Sequence, residues 1–171
     1  MNTIIQKYNI TNIWHFTDGA NLDSIQEHGL LAFAEAQRRG IEIPAPGGNE
    51  LSHGLDKIKE LDEYVHLTFV DNHPMLFLAK KERIPDPVWI EIDSSIMLDE
   101  GVRFSSDVAN KTEVAILNAE EAKKQIDFEV LFTRTDWKNP NIQARLKKAR
   151  KSEILIPRRV SVEKILSWKN G

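Results

Sequence analysis

The chain contains no cysteine. That excludes a disulfide framework, a thiolate nucleophile and a cysteine-ligated zinc site, so chemistry falls to carboxylates, imidazoles, hydroxyls or a bound cosubstrate. Long hydrophobic runs are missing as well, since no stretch approaches the roughly 18 uncharged apolar residues of a membrane span. The start, Met1 to Asn9, has neither the basic nor the apolar region of a secretory leader, which points to a cytoplasmic protein with no membrane partner. Glycine-rich fingerprints are absent too, because Gly47-Gly48 alone matches neither a P-loop nor a dinucleotide-binding turn. A nucleotide would have to bind without either device. Nor does any Ser, His and Asp set follow a nucleophile-elbow pattern, which removes support for a hydrolytic triad.

What is present suits one folded unit. A length of 171 residues, with 41% apolar and 29% charged side chains, is the size and balance of a single domain spanning residues 1–171. Its formal charge of −3 is unevenly placed. From Thr133 to Gly171 eleven Lys or Arg face three acids, a net of +8, whereas the first 132 residues hold twelve bases and twenty-three acids, a net of −11. Clustered cations of this kind suit a polyanion, because they release counterions from phosphates. A solvated basic helix is the plainer alternative.

Local patterns give strands and helices without a regular βαβ rhythm, which favours an α+β fold. Ile13-Trp14-His15-Phe16-Thr17 reads as a buried strand ending at Asp18-Gly19. Ala20 to His28 follows as a helix that Gly29 closes, and Leu30-Leu31 returns to the core. Residues 40–54 read as a long connection. Helices are expected from Leu55 to Leu61, from Pro74 to about Lys81, over Ala119 to Gln125 and over the basic stretch Asn141 to Lys151. Strands are expected at Tyr64 to Phe69, Val88 to Ile92, Val102 to Phe104, Phe128 to Phe132 and Glu153 to Pro157, with a short ending from Ser161 to Leu166.

Four features invite chemistry. His53, His66 and His73 are separated by thirteen and seven residues, which fits no helical or finger spacing, so a metal site is disfavoured. His15, inside an aromatic strand, needs a polar partner, whether as a satisfied core histidine or as a ligand-binding group. Glu153 opens an apolar strand and is costly there unless paired or employed. Trp137, with Arg145, Lys147, Lys148, Arg150 and Lys151, offers a stacking face beside cations, the recipe for a single strand. As an alternative, Trp137 anchors the helix.

In order along the chain, Ile13-Trp14-His15-Phe16-Thr17 with Asn21-Leu22, Ile25, Gly29-Leu30-Leu31, Tyr64-Val65-His66-Leu67-Thr68-Phe69, His73-Pro74-Met75-Leu76 and Glu153-Ile154-Leu155-Ile156-Pro157 resembles the DarT family of nucleic-acid ADP-ribosyltransferase toxins. Arg103 to Ala109 is similar to that family's segment before the basic helix. The resemblance implies a compact ADP-ribosyltransferase fold, in which small central sheets form a cleft for NAD as cosubstrate, without a metal. It implies that His15 and Thr17 hold the nicotinamide-side ribose, that Asn21, Gly29 and Leu30 line the cleft, and that Tyr64, Phe69 and Met75 lie near the nicotinamide. Glu153 would be the catalytic carboxylate and Arg39, or Arg38, the site arginine. The expected acceptor is a base in single-stranded DNA, with RNA as its rival and a non-catalytic nucleic-acid-binding module as the other class. A macrodomain antitoxin is the expected partner, in a toxin–antitoxin or phage-defence setting. One departure stands out: where thymidine-modifying members carry Tyr-Val-Pro and an aromatic pair, this chain has Tyr64-Val65-His66-Leu67.

Overall fold

A computed structural model describes residues 1–47, 60–72 and 84–171. The expected helices at Leu55 to Leu61 and Pro74 to Lys81 fall wholly or largely outside those residues, as do His53, His73 and Met75. Among the described residues the helices are α1 (Asn2–Tyr8), α2 (Leu22–His28), α3 (Phe33–Arg39), α4 (Ala119–Gln125), α5 (Phe128–Phe132) and α6 (Pro140–Ala149). The strands are β1 (Asn12–Asp18), β2 (Leu30–Leu31), β3 (Tyr64–Thr68), β4 (Pro87–Asp93), β5 (Arg103–Ser105), β6 (Glu153–Pro157), β7 (Arg159–Val160) and β8 (Ile165–Asn170).

Six strands form one antiparallel sheet in the order β5-β6-β3-β1-β4-β8, and β2 pairs with β7 apart from it. The larger sheet has a seam. β1 and β4 pair along their whole length, and β3 and β6 do the same, but β1 meets β3 at a single registered pair, Trp14 opposite Thr68. Two three-stranded halves are therefore joined at one registered pair within a single sheet, beside the separate β2–β7 pair, in the expected mixed helix and antiparallel-sheet fold.

The core explains the strand runs. Ile13, Leu67, Ile90, Ile92, Phe104 and Ile154 are fully buried in the main cluster. Strand β6 is covered on both sides, because Ile154 and Ile156 enter that cluster while Leu155 packs with Leu61, Ala109 and Tyr64. Its sequence accordingly reads as an unbroken apolar run rather than an alternation.

Gly29 has φ +79°, and a Cβ there would stand 2.2 Å from the Val160 carbonyl oxygen. Only glycine lets α2 turn directly onto the β2–β7 pair. One expectation fails: Phe128 to Phe132 is the helix α5, not a strand. A five-residue apolar run does not declare its period. Here the Asp127 carboxylate caps the Val130 N–H, and Phe128 and Phe132, four residues apart, both meet the Phe69 ring edge-on at 5.3 and 6.4 Å.

Candidate active site

Register across the sheet builds one row of side chains. Ser105, Glu153, Thr68, Trp14, Glu91 and Ser167 stand opposite one another from β5 to β8, and residues directly opposite share a face. Glu153 is thus on the same face as Trp14, and the seam runs between Thr68 and Trp14. Phe16 and Trp89, one step along, make an edge-on contact at 5.5 Å, and Trp89 meets Trp14 at 6.3 Å. The Lys169 ammonium lies 4.2 Å from the Trp14 ring centre. An aromatic wall therefore flanks one side of the seam.

Glu153 is 5% exposed. A buried carboxylate needs donors, and both that it has among the described residues fall on the same oxygen. The Ala109 N–H donates to Oε2 at 3.2 Å, and His66 Nδ1 lies 3.1 Å from it. Oε1 makes no hydrogen bond among the described residues. One oxygen is held by two donors and the other by none among the described residues.

Across the seam, His15 sends Nδ1 to the backbone carbonyl of His66 at 2.8 Å. Burial is the main cause that pushes its imidazole from 6.5 down to about 4; the charge of the neighbouring His66 lowers it further and the carbonyl contact opposes both. His15 is then neutral at physiological pH. Since a carbonyl only accepts, the single ring proton sits on Nδ1 and Nε2 keeps a lone pair for a donor such as a hydroxyl.

Thr17 and Asn21 are buried together. Asn21 Nδ2 donates to Thr17 Oγ1 at 2.8 Å and to the Ala45 carbonyl at 2.7 Å, while the Ala45 N–H donates to Asn21 Oδ1 at 2.8 Å. Asn21 therefore pins the connection after α3 to the end of β1. Leu30 and Phe69 are in the main core, and Tyr64 packs against Leu61, Ala109 and Leu155. Gly29 lies at the β2–β7 pair.

Arg38 and Arg39 meet a residue that sequence reasoning missed. Glu35, on α3 and buried, accepts from Arg38 at 2.9 Å, from Arg39 Nε at 2.7 Å and from Arg158 at 3.2 Å. Arg158 first, then Arg38 and Arg39, hold its carboxyl at about 2 instead of 4.5. Arg38 also grips Glu63 with two bonds of 2.7 Å, which closes its fork. Arg39 engages only through Nε, so its two terminal nitrogens are unbonded among the described residues. Glu35 lies three and four residues before the two arginines, a helical spacing that could have found it; Arg158 carries no such local signal.

The basic stretch divides in two. Trp137 is 67% exposed, which removes the helix-anchor reading, and Lys147 and Lys148 on α6 are exposed too. Arg145 is committed to Asp127 at 2.6 Å and Glu129 at 2.7 Å and ties α6 to α5. Arg150 and Lys151 are half-buried in the turn leading to Glu153. Among the described residues no group of three or more His, Asp or Glu could hold a metal ion, and no helix is long and apolar enough to cross a membrane.

A family model described as DarT, ssDNA thymidine ADP-ribosyltransferase, matches residues 14–167. Among solved structures, Thermosipho africanus DarTG in complex with ADP-ribose is similar at TM-score 0.70 and 22% identity over 92% of this chain. The chain spans 43% of that longer protein. Thermus sp. 2.9 DarT in complex with NAD+ is similar at TM-score 0.64 and 17% identity, covering 94% of this chain and 81% of that one. The same Thermus protein in complex with ADP-ribosylated ssDNA is similar at TM-score 0.61 and 17% identity, over 92% and 79% of the two chains. No curated protein matches in sequence. At these identities the structural likeness fixes the fold.

Proposed function

The chain belongs to the DarT family of ssDNA thymidine ADP-ribosyltransferases, and from that membership we propose that it transfers ADP-ribose from NAD to a nucleobase in single-stranded DNA and releases nicotinamide. The observation that carries this reading is the half-held carboxylate of Glu153, with Oε2 fixed by two donors and Oε1 unbonded among the described residues.

The chemistry follows from those atoms. As the ribose C1′–nicotinamide bond breaks, its electron pair leaves with nicotinamide and positive charge develops on the sugar. Glu153 Oε1, unbonded among the described residues, is the carboxylate oxygen that holds a ribose hydroxyl and stabilises that charge. His15 Nε2 accepts from another ribose hydroxyl, and Thr17, whose oxygen already accepts from Asn21, has its own hydrogen to donate. A base nitrogen then bonds to C1′, and Glu153 takes the proton that nitrogen loses before passing it to solvent. Nucleobases are weak nucleophiles, so most of the rate comes from holding the reactants in line. Arg39, with two nitrogens unbonded among the described residues, is the better of the two arginines to meet the diphosphate, since Arg38 is closed by Glu35 and Glu63. Asn21, Gly29 and Tyr64 are assigned to the NAD cleft, with Leu30 and Phe69 supporting it from the core.

Exposed Trp137 stacks on an unpaired base while Lys147 and Lys148 meet phosphates, with Arg150 and Lys151 nearer the carboxylate. In its cell the protein acts as the toxin of a toxin–antitoxin or phage-defence pair, partnered by a macrodomain that removes ADP-ribose. The test offers NAD with single-stranded DNA, single-stranded RNA or a protein mixture and weighs each polymer by mass spectrometry. An ADP-ribose adduct on DNA alone supports the reading. An adduct on RNA alone transfers it to the other nucleic acid, and binding without any adduct or nicotinamide favours the non-catalytic module.

A further inference from the structure

His66 is left without a role by the chemistry above, yet it touches both halves of the site. Strand register sets His66 opposite Leu155 and Thr68 opposite Glu153, so His66 and Glu153 are diagonal neighbours on one face. Such pairs are about 7 to 8 Å apart at the backbone, within reach of an imidazole and a glutamate. The ring closes that gap: Nδ1 is 3.1 Å from Glu153 Oε2 and Nε2 is 3.4 Å from the Leu61 carbonyl. A carboxylate and a carbonyl oxygen both accept. A neutral ring donates from one nitrogen only, and the shorter contact assigns that hydrogen to Nδ1 and the carboxylate.

The consequence for Glu153 is geometric. A carboxylate held by one donor can swing about its last bond and exchange its oxygens. Here the Ala109 N–H comes from the segment after β5 and the His66 ring from β3, so two donors from different elements converge on Oε2. That fixes the carboxylate plane and aims Oε1. The backbone of the same residue receives His15 Nδ1. One residue thus meets Glu153 through its ring and the His15 ring through its backbone.

We propose that His66 is the positioning residue of this site, orienting the Glu153 carboxylate through its Nδ1–H while its carbonyl fixes the His15 ring. The proposal rests on the transferase reading for its kinetic consequence, whereas the His66–Glu153 tie is a property of the folded chain. Two variants separate orientation from folding. His66→Ala removes the ring and leaves the β3 backbone and the His15 contact in place. His66→Asn returns an amide N–H near the position of Nδ1.

Nicotinamide release from NAD, with single-stranded DNA present, is the kinetic readout. His66→Ala should lower kcat by roughly 10- to 100-fold, as displacements of about an ångström do. Its KM for NAD should stay within about threefold, because an aimed carboxylate matters most in the transition state. His66→Asn should recover most of kcat. Unchanged kcat in His66→Ala, or an Asn variant as slow as Ala, overturns the proposal.

A second measurement needs no activity. In NMR titrations of the intact protein, loss of the carboxylate in Glu153→Gln should lower the His66 midpoint by about half a pH unit or more, since a neighbouring anion favours the charged ring. An unmoved midpoint overturns the tie itself. A midpoint that moves in a protein that releases no nicotinamide retains the tie and overturns the transferase reading instead.

Discussion

His15 and His66 are joined side chain to main chain: the Nδ1–H of His15 donates to the His66 carbonyl at 2.8 Å, at the point where β1 and β3 cease to pair. A side chain of β1 there bonds the backbone of β3, and the bond leaves the His15 Nε2 lone pair available to a donor.

His15→Ala tests whether that lone pair is used. The Kd for NAD should rise about tenfold or more, equivalent to about 1.4 kcal/mol, with a melting point lower by only a few degrees. Calorimetric titration with NAD and a thermal melt read the two effects. Wild-type affinity in a protein of lowered melting point would make His15 a core histidine and nothing else.

Acid should weaken the fold in two steps. The unfolded chain protonates His15 as pH falls through 6.5, whereas burial delays this to about 4 in the folded chain. Unfolded chain therefore binds more protons between those values, so the His15 contribution is full above 6.5 and is lost toward 4, on the order of 2 to 3 kcal/mol. Glu35 adds a lower window: held at about 2 against 4.5, its contribution is full above 4.5 and disappears as pH falls toward 2. Denaturant unfolding from pH 8 to pH 3 measures both. His15→Gln should flatten the upper window and leave the lower one.

Cations of the basic stretch should separate by role. Lys147→Ala with Lys148→Ala should reduce the slope of log affinity for single-stranded DNA against log salt by about 0.7 for each phosphate that is no longer neutralised, with little change in melting. Arg145→Ala should instead loosen α6 from α5, lowering the melting point and moving the slope less, because its partners are Asp127 and Glu129. A slope unchanged in the lysine pair would place DNA elsewhere.

Asn21→Ala should release the chain at Ala45. Three hydrogen bonds of 2.7 to 2.8 Å disappear with the side chain, and the loss should cost about 2 to 3 kcal/mol. Hydrogen exchange at the Ala45 amide, fast in the variant and slow in the wild type, is the direct check.

Much of this site is legible in the sequence where the signal is local. The polar ring in an aromatic strand, the carboxylate opening an apolar one, the glycine closing α2 and the cation run each occupy a few consecutive residues, and each is where its pattern puts it. The seam is not legible, since it depends on where two distant strands stop pairing. Glu35 and Arg158 are 123 residues apart and meet only in the fold. The spacing of His66 to the other histidines speaks only to a metal site, whereas its partner is Glu153, 87 residues away. Phe128 to Phe132 misleads for a different reason: its run is too short to show a period, and the helix is decided by the Asp127 cap and by Phe69.

The most direct test of the central claim is a mass measurement on a single-stranded DNA oligonucleotide incubated with NAD and either the wild-type protein or Glu153→Gln, with folding of the variant checked by its melting curve. The half-held carboxylate predicts one added ADP-ribose on the DNA with released nicotinamide in the wild type, and neither in a variant that melts as the wild type does. A variant that modifies DNA as fast as the wild type, or a folded wild type that yields neither product, would contradict it.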